Sequence, residues 1–508
     1  MRLMVKILLL CSLIGFSSIT STAFADYNKA RALYAKGGYV EAAELYFRTY
    51  SSPKNLAEKR KSEWGLAESL QKIGLLYSAS KYYSIIVRRG RRADNPFFRS
   101  SLEELGRINS QLSLGQSHIV QLFKTQVRAS DVPGPARGFY FYYKGAEAFS
   151  LNRFEEAGSN FAKVPSSSSY YLGASFHLGV ISNLSGRHSR AITYFEKVLA
   201  GSRGRTEYEE IREMAIMNIA RVNYEMKRYT QAIAYYGQIP RSSDNWLDAI
   251  WEASWTFFFM QKLNNTLGNI HSLHSPFFEN QFYPESYILQ AITFLRLCRF
   301  DQVKESMRRF KVRYSPVYGD VKSMLDRYRS DPNAFYKLAY DYNRTGRMSE
   351  HRKAEEIISK LSTTDAFKGA KDTIRFADRE LDMLRRYRRW QESGLLSALV
   401  SFLQSKKSAA VTNAGRRMFR EGTTYYTQLL ELSNQTRLIV AEMQLGQLAK
   451  LRSLINVGAD ERRVQFIGGM QELKINESLE YWPFEGEYWE DELGFYVYNM
   501  DSQCENER

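Results

Sequence analysis

The chain has 508 residues, three cysteines, and 71 Lys and Arg against 55 Asp and Glu, a net charge of +16. Beyond its first residues no segment offers about eighteen uninterrupted apolar residues, which excludes a protein built on transmembrane helices. The charge is uneven: residues 472–508 carry eleven acids and two bases, net −9, so the body before them holds +25.

The first segment reads as a secretory signal. Arg2 and Lys6 precede an apolar run from Ile7 to Phe16, and Ala23-Phe24-Ala25 forms a small-x-small cleavage site before Asp26. The run is too short to span a bilayer, and Leu10 ahead of Cys11 argues against a lipid-anchored amino terminus. The expectation is a signal peptide over 1–25 and a free, periplasmic chain from about Asp26. Outside the cytoplasm a basic body points to acidic proteins, lipid head groups or anionic envelope polymers rather than nucleic acid. An oxidising compartment also leaves Cys298 and Cys504 available to pair.

From residue 26 the sequence repeats. Segments such as GAEAFSLNRFEEAGSNFAKVP and LGVISNLSGRHSRAITYFEKVL place corresponding alanines at Ala157 and Ala191, thirty-four residues apart. The next stands at Ala232 after the loop GSRGRTE, and earlier copies centre on Ala42 and Ala79. Diverged copies follow around Leu267 and Val303, and residues 95–128 read as a degenerate helical pair. Each copy has a small residue (Ala67, Gly145, Gly179, Ala220), then a turn residue (Gly74, Asn152, Gly186, Lys227). An aromatic follows (Tyr46, Tyr83, Phe161, Phe195, Tyr236). Small side chains let two antiparallel helices cross closely, and the aromatic fills the gap to the next pair.

This pattern resembles the tetratricopeptide repeat (TPR) family over roughly residues 27–316, with prolines at Pro53, Pro165, Pro240 and Pro316 where repeats close. The resemblance implies an all-α chain, a right-handed TPR-like α-solenoid over 26–316. It also implies partner binding along the first helix of each repeat. The register places Arg31, Tyr34, Glu68, Gln71, Tyr142, Phe149, Asn183, Arg221, Tyr224 and Arg296 on that face, several of them the Arg and Tyr favoured at interfaces.

Residues 317–457 keep helix formers but lose the repeat. FADRELDMLRRYRRWQ and the stretch from Thr424 to Leu454 are amphipathic, separated by a break expected over Ser401–Gly415, which predicts a hairpin or coiled coil. Within the first, LRRYRRW (Leu384–Trp390) reads as a solvated basic face or a site for an anionic polymer. Residues 458–508 predict a small β unit, with strands near Val464–Ile475. In it Tyr481, Trp482, Phe484, Tyr488, Trp489, Phe495 and Tyr496 pack on the helical body. Its carboxylates Glu480, Glu485, Glu487, Glu490, Asp491 and Glu492 face the basic surface.

Motifs for catalysis are missing: there is no HExxH, Walker loop, GxGxxG or GxSxG. His271 and His274 share a helical face, but two ligands do not make a zinc site. Lytic transglycosylases carry a helical solenoid, but Glu477-Ser478 lacks that family's continuation. The expectation is no enzyme, metal or cofactor. The exported repeats, YPESYI through LCRFD (Tyr283–Asp301), the helical arm and the aromatic end resemble periplasmic TPR proteins of gliding-motility and related envelope machines, which implies a scaffold for protein partners. An adaptor on peptidoglycan or another anionic polysaccharide is the alternative.

Overall fold

A computed structural model describes residues 26–112, 114, 119–120, 122–123, 127–457 and 486–504. The signal segment 1–25 and the strands expected near Val464–Ile475 lie outside the described residues. So do Tyr481, Trp482 and Phe484.

The described chain is all-α and TPR-like. Antiparallel pairs are formed by 26–35 with Tyr39–Ser51, Leu56–Ile73 with Leu76–Arg88, and Arg137–Ser150 with Phe154–Phe161. Further on they are Glu209–Glu225 with Tyr229–Tyr236, Trp246–Phe259 with Leu263–Leu273, and Glu285–Arg296 with Phe300–Tyr328. The turns share one device, a left-handed residue between the helices: Gly37, Gly74, Asn152, Lys227, Gln261 and Cys298 all have positive φ. Non-glycine residues at four of these turns mark a conformation imposed by packing, since such φ values are uncommon for L residues. The repeat alanines Ala42, Ala79, Ala157, Ala191 and Ala232 and the aromatics Tyr46, Tyr83, Phe161, Phe195 and Tyr236 are all buried. A Cβ at Gly65 would fall 2.6 Å from the Tyr46 ring, and one at Gly145 2.8 Å from Phe161, so helix contact there requires glycine.

The chain divides into two compact units. The first comprises residues up to Ser185 together with Lys368–Ala414; the second comprises Gly186–Phe367 together with Gly415–Arg508. The helical arm therefore has no unit of its own. No break occurs over Ser401–Gly415: one helix runs from Leu395 to Val457. That stretch contains no proline, its Thr412 hydroxyl donates to the Ser408 carbonyl at 2.9 Å, and Gly415 packs tightly instead of ending the helix.

Within the first unit the arm locks onto the repeats. Helix Leu76–Arg88 has no side-chain cap of its own. Glu380 supplies one from 302 residues away: its buried carboxylate accepts from the Tyr77 and Ser78 amides and, at 2.7 Å, from the Ser78 hydroxyl. LRRYRRW is a solvated basic face only in part: Arg385, Arg386 and Arg388 are exposed, but its end turns onto the repeats. Trp390 is fully buried and donates from Nε1 to the Val40 carbonyl at 3.0 Å, while Arg389 bonds Glu41 and Glu44 at 2.7 and 3.0 Å. The helix stops at Leu384 and a short turn aims both side chains at helix Tyr39–Ser51.

In the second unit Pro316 does not close a repeat. It lies inside helix Phe300–Tyr328 on an exposed face, where water can satisfy the carbonyl of Val312 that it leaves unpaired. Over its described part, 486–504, the expected β unit is also corrected. Residues 486–504 hold one 3-10 turn, Glu490–Glu492, and no strand. The segment is an extended strap on helix Leu263–Leu273: the Tyr498 amide donates to the Asn264 carbonyl at 3.1 Å, and Asn264 both donates to and accepts from Met500. Gly494 donates to the Ser272 hydroxyl at 2.7 Å. A Cβ at Gly268 would lie 1.7 Å from the Tyr496 carbonyl, so the strap's backbone rests on that glycine. Leu493 is buried beside Trp246 and Ala249, and a disulfide joins Cys298 to Cys504 with 5.2 Å between their Cα atoms.

The strap keeps the period of a strand without a sheet: Phe495 and Val497 face water, whereas Tyr496 and Tyr498 face His271. Tyr488 stacks on His271 at 4.6 Å. Trp489 and Phe495 are instead exposed, 51% and 73%, and do not pack on the body as expected. Glu490, Asp491 and Glu492 are exposed as well, and the arginines that reach the strap meet backbone instead: Arg241 donates to the Asp491 carbonyl and Arg299 to that of Asp501.

Candidate functional site: the first-helix faces

In the second unit, helices Glu209–Glu225 and Trp246–Phe259 bury Ala220 and Ala253 on one side. Positions three and four residues apart on the other side leave Arg221 and Tyr224, and Glu252, Trp255 and Phe259, on a common open face. Arg221 grips Glu252 through both arms of its guanidinium, Nε to Oε2 at 2.9 Å and Nη2 to Oε1 at 2.6 Å. Tyr236 donates its hydroxyl to the same carboxylate at 3.0 Å. Burial, then the charge of Glu252, pushes the Tyr236 hydroxyl well up from its usual range, so it remains a donor at neutral pH.

Beside this ion pair lies an aromatic shelf. Phe259 sits 5.9 Å from Tyr224, 6.3 Å from Tyr229 and 6.1 Å from Trp255, and Trp255 is 6.0 Å from Trp251. Phe259 is 47% exposed, and Tyr224, Trp251 and Trp255 are half-buried. Arg296 lies over the buried Phe258 ring at 5.9 Å. Sequence reasoning found Arg221, Tyr224 and Arg296 but missed Glu252, Tyr229, Trp251, Trp255 and Phe259. The signal was present in WEASWTFFF, where Trp251, Trp255 and Phe259 recur every fourth residue on one helical face.

The first unit's face is built differently. Tyr34 lies beside Glu68, and burial followed by Glu68 pushes its hydroxyl up to about 12. Gln71 donates to Glu104 at 2.7 Å and accepts from Tyr83 at 2.6 Å. Burial raises the Glu68 carboxyl above its usual range, and nearby Glu104 adds to this. Arg31 is exposed at the rim and Asn183 is half-buried. Tyr142 and Phe149 do not form an open shelf: both pack against His177, at 6.0 and 5.2 Å, in a cluster with Phe161 and Tyr170. Burial pulls the His177 imidazole down to about 4, so it packs as a neutral ring.

The HSLH histidines are accounted for by packing. His271 lies under the strap tyrosines, and the half-buried His274 packs against Tyr287 at 4.1 Å with Nε2 on the Ser286 hydroxyl at 2.7 Å. Among the described residues no three His, Cys, Asp or Glu side chains gather as a metal site, and no helix is long and apolar enough to cross a membrane.

No family model matches the chain, and no curated protein matches it. Several solved structures are similar to it in part. A tetratricopeptide repeat protein from Parabacteroides merdae is 12% identical, spanning 57% of this chain and 93% of its own, with a TM-score of 0.25. A thermophilic TPR protein of Thermus thermophilus is 16% identical over 46% of this chain and 99% of its own, TM-score 0.19. Yeast Tom70 is 11% identical over 86% of this chain and 97% of its own, TM-score 0.20. Superposition at this level is loose, and the repeat architecture rests on the helix pairs and turns described above.

Proposed function

We propose that the chain is a non-enzymatic scaffold that binds protein partners in the periplasm, as part of a bacterial envelope complex of the gliding-motility kind. The observation that carries the binding reading is the aromatic shelf of Tyr224, Trp255 and Phe259 beside the Arg221–Glu252 pair. Large apolar rings left open to water next to an oriented ion pair are the composition of an interface centre. The apolar rings supply binding energy when covered, and the ion pair fixes the orientation of an extended or helical partner segment. The amino-terminal sequence supports export, and the left-handed turns and buried repeat alanines support a rigid repeat framework over enzyme architecture.

The test is crosslinking followed by mass spectrometry on intact envelopes, comparing the native chain with a Trp255→Ala, Phe259→Ala double variant. Phe259 is exposed and Trp255 half-buried, and an unchanged far-UV circular dichroism spectrum checks that the variant keeps its fold. Specific partner crosslinks to the second unit should fall by roughly tenfold or more if these rings are a hot spot. Crosslinks unchanged in the variant would sink the assignment of this face. A mature chain still carrying residues 1–25 would remove the periplasmic reading.

A further inference from the structure

In the second unit a surface cavity of about 560 Å3 opens where helix Phe300–Tyr328 ends, helix Pro332–Thr345 begins and helix Leu395–Val457 passes. It is lined by Tyr328, Arg329, Pro332, Arg416, Phe419 and Arg420. We propose that this cavity binds a phosphate-bearing anion with a neighbouring apolar group. The inference goes beyond the partner-binding face and does not depend on it.

Three arginines converge on the cavity, and among the described residues none of their guanidiniums forms an ion pair. Arg416 and Arg420 are one helical turn apart, a like-charge pair that is unfavourable by itself. Three of the nearby acids have closer partners elsewhere. Asp331 caps helix Pro332–Thr345 by accepting from the Ala334 amide at 2.9 Å. Glu350 accepts from the Tyr328 hydroxyl and pairs with Arg327 at 2.7 Å. Asp326 pairs with Lys322 at 2.9 Å. What remains is an excess of positive charge, offset only at longer range by Asp326 toward Arg329 and Glu421 toward Arg420, and an anion with several oxygens relieves it because each guanidinium presents a planar fork matched to phosphate.

The site is held in shape. A Cβ at Gly415 would lie 1.8 Å from the Pro332 carbonyl, so backbone meets backbone one residue before Arg416. Below the cavity the buried Phe335 ring stands 5.7 Å from Phe419 and 5.9 Å from Tyr328, fixing both rings as a floor. A floor of rings under three cations suits a ligand with an apolar portion attached to its phosphate, and the volume is that of an ordinary small-molecule site.

Free phosphate compounds and phospholipid head groups share this chemistry, and the test separates them. The probes are inorganic pyrophosphate, by isothermal titration of the full chain in chloride buffer, and phosphatidic acid vesicles, by co-sedimentation. The expected result is saturable one-site pyrophosphate binding, weakened roughly tenfold or more in Arg416→Gln, Arg420→Gln, as loss of charge-assisted hydrogen bonds implies. Both arginines are exposed, so the variant keeps its fold, and an Arg385→Gln, Arg386→Gln control in the first unit should bind as the native chain does. Vesicle binding lost in the same variant assigns the anion to a lipid head group. Pyrophosphate binding without vesicle binding assigns it to a free compound. Binding equally reduced by the control variant, unchanged in Arg416→Gln, Arg420→Gln, absent for both probes, or seen only with a poly-glutamate peptide would overturn the proposal.

Discussion

The two units finish their repeats in opposite ways. The first is fastened by its arm through buried side chains, the Trp390 ring with its bond to Val40 and the Glu380 carboxylate on the amides of Tyr77 and Ser78. The second is fastened by an extended strap that uses mostly backbone, the amides of Gly494, Tyr498 and Gln503 and the carbonyls of Asp491 and Asp501, with a disulfide at its end. A solenoid end exposes apolar surface that must be covered. A cover made of side chains depends on particular residue types, whereas one made of backbone tolerates them and depends on where the chain is tied down.

The largest expected effect tests the side-chain cover. Trp390→Ala removes a fully buried ring and should cost about 3–5 kcal/mol. Because a chain of two units has no single unfolding free energy, the readout is amide hydrogen exchange: protection should fall in helix Tyr39–Ser51 and hold in helix Leu263–Leu273. Cys504→Ser is the counterpart for the strap and should cost about 2–4 kcal/mol, with the opposite pattern of exchange. If each variant loosened both units equally, the contrast between two fastenings would fail.

Why the fastenings escaped the sequence is instructive beside what it did reveal. Ala157, Asn152 and Phe161 mark their repeat because the groups they pack against lie within one or two repeats, and the same demand recurs down the chain. Trp390 meets a carbonyl 350 residues away and Glu380 caps a helix 302 residues away, and no local period records such pairings. The strap misled in another way. Its alternation of Phe495, Tyr496, Val497 and Tyr498 has the two-residue period of a strand, but period reports an extended chain with one wet side, not whether a second strand lies beside it. Pro316 reads as a stop and is none, because its face of helix Phe300–Tyr328 is in water. On the binding face, Arg221 and Tyr224 were legible from repeat register, whereas Trp255 and Phe259 needed the four-residue spacing within one helix to be weighed as a surface.

Glu380→Gln sharpens the first unit's side of the comparison. The carboxylate accepts from three donors, and an amide replaces one acceptor oxygen with a donor, so at least one buried donor is left unpaired at about 1–3 kcal/mol. The loss should appear as faster exchange in the first turn of helix Leu76–Arg88. Slower exchange there would mean that the cost of burying the charge outweighs its bonds.

The second unit has a buried carboxylate of its own that acts through pH. Glu356 is buried against Arg313, at 3.1 Å, and burial pushes its carboxyl up to about 7. The folded chain therefore holds this proton more tightly than the unfolded chain. The contribution is complete below the ordinary carboxylate range and is lost as pH rises toward 7, about 1–3 kcal/mol in all. Denaturant midpoints followed by exchange in helix Glu355–Ser362 should decline between pH 4.5 and 7, and Glu356→Gln, which keeps an acceptor for Arg313, should flatten that decline. A native profile already flat across this range would show that Arg313 fully offsets the burial.

The smallest effect expected is the most exacting for the strap. If aromatic packing fastened it, every ring would contribute, and Phe495→Ser would cost as much as losing Tyr496. The alternating exposure predicts otherwise: Phe495 stands 73% in water, so its replacement should change stability by within about 0.5 kcal/mol, as for surface sites generally. Tyr496→Ser uncovers His271 and should loosen exchange in helix Leu263–Leu273 measurably, even though the strap's backbone bonds to Asn264 and Ser272 persist. Equal losses from the two neighbours would mean that the strap is a two-sided aromatic cluster, and the distinction drawn here between a cover of side chains and a cover of tethered backbone would not stand.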